Sequence, residues 1–251
     1  MRSLLEIKEV SKSFKKDKRK VKVLNDVSFS VKKREFLSIV GPSGCGKSTL
    51  LSLIAGFDEY DEGNIYFKGE KIIAPSPERV MVFQDFNQLF PWKTVLQNVL
   101  FPLTVNKKEM NINKRKDLAR KYLKMVKLEG YEDYYPHEIS GGMKQRTAIA
   151  RALIMKPEIL LMDEPFGSLD AQTRMQLQST LIELLEEIET TIVFVTHDIE
   201  EAVVLSDRII ALSNSSNSIK DVIDNNLDRP RDRLSNRFIE KVKEVYDKVK
   251  E

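Results

Sequence analysis

Apolar and polar positions alternate around Leu5, Ile7 and Glu9 and again over residues 21–31, so the start of the chain reads as strands. Residues 36–40 form a run of the buried-strand kind, apolar but for Ser38, and Gly41 ends it. Residues 47–55 carry a helical pattern, while 65–67 and 80–83 predict two further short strands. From about 94 to 155 helical spacing prevails, including a charged stretch at 113–127 with Leu118, Tyr122, Met125 and Val126 near one face. Residues 159–162 and 191–195 are compact apolar runs of the parallel-strand type, separated by a helix that lines up Leu177, Leu181, Leu184 and Ile188. Residues 232–251 place Phe238, Val242, Val245 and Val249 on one stripe, which predicts a terminal helix packed on the body. Strands alternating with helices argue an α/β fold with a mostly parallel sheet, interrupted by a helical insert.

Composition narrows this picture without redirecting it. The 251 residues are 41% hydrophobic, enough for a sizeable core, and contain no run of about 18 apolar residues of the kind that crosses a bilayer. The opening MRSLLEIKEV lacks the apolar stretch of a signal peptide, so the chain is expected to stay in the cytosol. A formal charge of +3 is too small to argue for nucleic acid. The lone Cys45 excludes an intramolecular disulfide and a four-cysteine zinc site, and suits a reducing compartment. The basic run 15–22 reads as a solvated turn between strands, and 214–218 as a polar loop.

The chemistry is concentrated after residue 40. Gly41, Pro42, Ser43, Gly44, Cys45, Gly46, Lys47, Ser48 and Thr49 match G-x-x-x-x-G-K-[ST] between a predicted strand and a predicted helix. The glycines let backbone N–H groups turn inward around a β-phosphate, and the helix adds its positive end. Lys47 is then placed to neutralise β- and γ-phosphates, and the Ser48 hydroxyl to ligate Mg²⁺. Cys45, in that loop and near a helix N-terminus, is expected to be a reactive thiol unless burial opposes it. At 159–165 the sequence ILLMDEP delivers two carboxylates at the end of a strand: Asp163 to hold Mg²⁺ and Glu164 to polarise an attacking water.

Further motifs follow in order: ISGGMKQRTAIARAL at 139–153, SLD at 168–170 and VTHD at 195–198. Together with the phosphate loop and ILLMDEP, they make the chain resemble the ABC transporter ATPase family along nearly its whole length. The resemblance implies a P-loop NTPase of ABC type, with an N-terminal antiparallel β subdomain and a helical subdomain at about 88–156. Residues 1–230 form the nucleotide-binding domain on this reading, with the helix at 231–251 packed on it. It further implies that Phe14 stacks on adenine, that Gln84 senses Mg²⁺ and the permease, and that His197 contacts the γ-phosphate. Taken singly, Phe14 could be core, Gln84 a surface amide and His197 a helix-start residue without a ligand. Ser140, Gly141 and Gly142 open a helix whose N–H groups can receive an anion. In the family that helix meets the phosphate loop of a second copy, so ATP and Mg²⁺ are clamped in a head-to-tail homodimer. Ser140 then bonds the γ-phosphate and Asp170 ties the two sites together.

Within the family the chain is similar to importer ATPases for nitrate, alkanesulfonates and taurine. The similarity is carried by FPWKTVLQNV (90–99), SGGMKQR (140–146), DEPFGSLDAQTR (163–174), HDIEEAVVLSDR (197–208) and RPR (229–231). It implies transmembrane permease subunits, an extracytoplasmic solute-binding protein, a small anion or sulfonate-like solute, and a peripheral place on the cytoplasmic face of the membrane. The alternatives are a soluble ABC ATPase acting on nucleic acid or ribosomes, and an exporter ATPase. Two positions depart from the pattern, Arg34 where Gly is usual and the polar segment 214–218 in place of a tighter turn. Neither is expected to touch nucleotide chemistry.

Overall fold

The computed structural model describes residues 3–16, 19–85 and 88–250. They fall into two compact units, Met1–Arg79 together with Thr191–Glu251, and Val80–Thr190.

In the first unit, β1 (Ser3–Lys16) and β2 (Arg19–Lys32) pair antiparallel, and β4 (Glu62–Phe67) and β5 (Glu70–Lys71) extend the sheet in the order β2-β1-β4-β5. The solvated turn expected between β1 and β2 includes residues 17 and 18, which lie outside the described residues. A second set of strands centres on β3 (Phe36–Val40), with β8 (Thr191–Thr196) and β9 (Arg208–Leu212) parallel to it and β10 (Ile219–Asp224) antiparallel to β9. Every residue of β3 and β8 is buried. Parallel strands covered on both faces have no solvent side to mark, which is why both read as largely apolar runs without alternation. Phe36 and Phe194 meet there with ring centroids 5.7 Å apart, each ring contributing about 1.5–3 kcal/mol by burial. Around these strands pack α1 (Lys47–Ala55), α6 (Ile199–Leu205) and α7 (Asn236–Val249). The stripe expected on α7 is present, with Phe238 and Val245 buried and Val242 and Val249 half-buried.

The second unit carries β6 (Arg79–Val82), which begins at its border, beside β7 (Ile159–Asp163), with α2 (Val95–Asn106), α3 (Ile112–Met125), α4 (Gly141–Leu153) and α5 (Ala171–Glu187). All four helices start on side-chain caps: Thr94 on Gln97, Asn111 on Asn113, Ser140 on Met143 and Asp170 on Thr173. On α3 the buried face is Ala119, Tyr122 and Leu123, while Leu118 and Met125 of the expected stripe are half-buried. No helix among the described residues is long and apolar enough to cross a membrane.

Candidate nucleotide site

Val40 of β3 lies level with Thr196 of β8 and Ala211 of β9. The loop leaving β3 and His197 leaving β8 therefore emerge together at the carboxyl ends of parallel strands, where open α/β sheets bind ligands. A Cβ on Gly41 would stand 2.6 Å from Leu212 O and 2.8 Å from Cys45 Sγ, so only glycine fits. Gly46 is left-handed at φ 98, and a Cβ there would meet Val23 O at 2.7 Å, so the loop is pressed against β2. Gly46 is also the N-cap of α1, and no side chain caps that helix. The amino end of α1, with its N–H groups and positive dipole, thus opens on the loop. Lys47 Nζ donates to Gly41 O at 2.8 Å and Pro42 O at 3.0 Å, which lays the ammonium inside the curl. Ser43, Gly44 and Ser48 are exposed, and Pro42 and Thr49 half-buried. A concave backbone with one ammonium and a hydroxyl suits the β- and γ-phosphates of a nucleoside triphosphate.

Other expectations for this unit resolve individually. Cys45 is completely buried, so the expectation of a reactive thiol is corrected by burial. Phe14 is 42% exposed on β1, with Lys12 Nζ 4.9 Å from its ring centroid, so it is not core. His197 is exposed one residue beyond β8. Arg34 holds φ 62, a left-handed conformation that explains why glycine is usual there, and its N–H donates to Thr191 Oγ1 at 2.9 Å. The segment 214–218 does reach the phosphate loop, contrary to expectation. Asn214 Nδ2 donates to Ser43 O at 3.4 Å, and Asn217 Nδ2 to Lys22 O at 3.1 Å.

In the second unit β7 ends on Asp163, and Glu164 follows at φ 41. A left-handed non-glycine residue costs about 1–3 kcal/mol and is held by its surroundings, here partly by the turn in which Gly167 N–H donates to Glu164 O at 3.1 Å. Asp163 and Gln84 share an open cleft of about 430 Å³ with Phe83, Asp85 and Ser168. A Cβ on Gly167 would sit 3.1 Å from Gln84 Nε2 and 3.7 Å from Glu164 Oε2, so the bare glycine keeps the space beside both side chains clear. Among the described residues no group of three or more His, Cys, Asp or Glu could hold a metal. Mg²⁺ keeps waters and phosphate oxygens and takes only one or two oxygens from protein, and within this unit Asp163 and Gln84 line the cleft that can offer them.

Ser140 Oγ accepts from Met143 N–H at 3.3 Å and is exposed, while Gly142 is buried under α5. A Cβ on Gly142 would lie 2.3 Å from Thr173 Cγ2, so this glycine sets how closely α4 approaches α5, a role not read from the sequence. Gly141 is half-buried between them. Asp170 accepts from Thr173 N–H at 2.9 Å, and that backbone bond first, then the Thr173 side chain, holds its carboxyl below the usual carboxylate range. Asn98, fully buried, was also missed: it accepts from Phe90 N–H at 2.8 Å and donates to Phe90 O, Lys93 O and Thr94 O at 3.0–3.1 Å. One amide thereby fixes the loop that displays Trp92, which is 70% exposed. The signal was present as an asparagine inside an apolar helical stretch.

A buried strand, a glycine-pressed loop, an inward lysine and an uncapped helix start define a P-loop nucleotide-binding protein. The ABC transporter family matches residues 24–167, and the chain belongs to that family. An aliphatic sulfonates import ATP-binding protein of Bacillus cereus is 48% identical over 94% of this chain and 92% of its own length. A nitrate import ATP-binding protein of Synechococcus elongatus is 45% identical over 84% of this chain and 32% of its own length. A dimeric ATP-binding cassette in a post-hydrolysis state, bound to ADP and Pi, superposes with a TM-score of 0.77 at 34% identity, covering 89% of this chain and all of that one.

Proposed function

We propose that the chain is the ATP-hydrolysing subunit of a membrane importer for a small oxyanion, with an alkanesulfonate as the first candidate. What supports this most directly is the loop Gly41–Thr49, whose curl around the Lys47 ammonium can take no large side chain at Gly41 or Gly46. Bound ATP supplies the phosphoanhydride bond and Mg²⁺ the charge that screens it. The N–H groups of the loop and Lys47 would hold the β- and γ-phosphates, Phe14 would cover the base, and Ser48, Asp163 and Gln84 would hold the metal. Glu164 accepts a proton from the attacking water and His197 steadies the γ-phosphate. Ser140, Gly141, Gly142 and Asp170 act on the nucleotide held by a second copy, so two copies close head-to-tail around two ATP. The named relatives are import proteins, which favours import over the export and nucleic-acid alternatives.

Closure performs work on permease subunits at the cytoplasmic face of the membrane, with an extracytoplasmic solute-binding protein completing the complex. The surface that receives the permease is Gln84 with residues 90–98, and Trp92 is its anchor because exposed aromatics dominate such interfaces. Trp92→Ala is expected to keep basal ATPase activity and lose co-purification with the permease from membranes. Normal assembly of that variant would sink the anchor role. The binding protein of the same complex, titrated calorimetrically with an alkanesulfonate and with nitrate, decides the solute.

A further inference from the structure

His197 sits between two residues that are themselves held. Thr196 Oγ1 donates to Glu201 Oε2 at 2.7 Å and accepts from Asp198 N–H at 3.0 Å, and Asp198 Oδ1 accepts from Glu201 N–H at 3.1 Å. Thr196 and Glu201 are only 2% and 4% exposed. The far end of α6 is fixed as firmly. Arg231 donates to Val203 O, Val204 O and Ser206 O at 2.8, 3.2 and 2.8 Å, and Asn225 Nδ2 to Val203 O and Ser206 O at 2.8 and 2.9 Å. Burial pulls the Arg231 guanidinium down to about 10, which leaves it charged at neutral pH and matched to the negative end of the helix. The RPR phrase of the sequence thus contributes an anchor for α6.

A helix of 7 residues has too few internal bonds to hold a fixed place alone, so its side-chain anchors set where it lies. A carboxylate buried at its first turn is costly unless its oxygens are satisfied, and the one whose contact is resolved, Oε2, is spent on Thr196 beside His197. We infer that Glu201 is a positioning residue for hydrolysis, acting through Thr196 and Asp198 to hold the His197 imidazole where it meets the γ-phosphate. This rests on the role given above to His197.

The chain has two histidines, His137 and His197, so a ¹H–¹³C spectrum of the imidazoles resolves His197 once His137→Gln has assigned the pair. In Glu201→Ala the His197 signal is expected to shift or broaden while that of His137 stays. Turnover should fall roughly tenfold or more while the Kd for a fluorescent ATP analogue holds within about twofold, since misplacing a reacting group costs kcat rather than binding. Glu201→Gln, whose amide oxygen can still accept from Thr196, should retain most of the turnover and the native His197 signal. Thr196→Val should reproduce Glu201→Ala and Thr196→Ser should not, which keeps the comparison if Glu201→Ala fails to fold. Native His197 signals and native kcat in both Glu201→Ala and Thr196→Val, or in Thr196→Val alone where Glu201→Ala is unfolded, overturn the inference. His197→Ala separates the two levels. If it is inactive while those variants are active, only the positioning role is lost; if it turns over normally, the role of His197 is wrong and the inference falls with it.

Discussion

Lys47 is the first residue of α1, is 5% exposed, and turns its ammonium back onto the carbonyls of Gly41 and Pro42. A buried ammonium lying on carbonyl dipoles is well prepared for an anion, because phosphate oxygens would bring full negative charges to it. Lys47→Ala should therefore lower turnover by roughly 10²–10³-fold and weaken ATP binding, while the urea midpoint moves little because the loop's glycines and the β3 core remain. A folded Lys47→Ala protein with native ATPase activity would contradict the assignment of this loop. At this scale the sequence was most readable, since the loop follows, and Asp163 and Glu164 end and follow, a strand that could be recognised by its apolar run. The buried state of Cys45 was not readable. It depends on Gly41 folding over Sγ, a tertiary contact with no trace in the local pattern.

Among the elements, α4 and α5 show how one residue serves two purposes. The run Ser140–Gly142 was read for its exposed helix start, yet Gly142 also lets α4 approach Thr173 of α5 to a distance no Cβ tolerates. Gly142→Ala is expected to destabilise the protein by about 1–3 kcal/mol through overpacking, despite alanine's better helix propensity. Adding Thr173→Ala removes the clashing Cγ2 and should return most of that loss in a urea titration. Simple additivity of the two changes would contradict the contact. Strands β3 and β8 and helix α1 were anticipated from apolar runs and helical spacing. The two-residue β5 was not, being too short for any period. The polar loop read at 214–218 is the turn between β9 and β10, but the strands on either side of it were not anticipated, β10 being an edge strand with alternate residues exposed. That turn carries Asn214 to the phosphate loop, a support of the site that its polar composition alone did not show.

For the whole molecule, the proposed sharing of ATP between copies rests on one chain carrying both a phosphate loop and a separate exposed helix start at Ser140. No periodicity or charge balance in one chain encodes a second copy; the resemblance to a family in which this helix start meets the phosphate loop of a second copy is what implied it. Glu164→Gln keeps the shape of the side chain but cannot take the water's proton, so Mg-ATP should persist and two copies should stay closed around it. Ser140→Arg, added to the same protein, places a bulky side chain where the partner's γ-phosphate must dock and should leave ATP binding to the phosphate loop intact. Light scattering at saturating Mg-ATP tests this most directly. A dimer mass is expected for Glu164→Gln and a monomer mass for the double variant; a monomeric Glu164→Gln, or a double variant that dimerises equally well, would rule out a shared ATP.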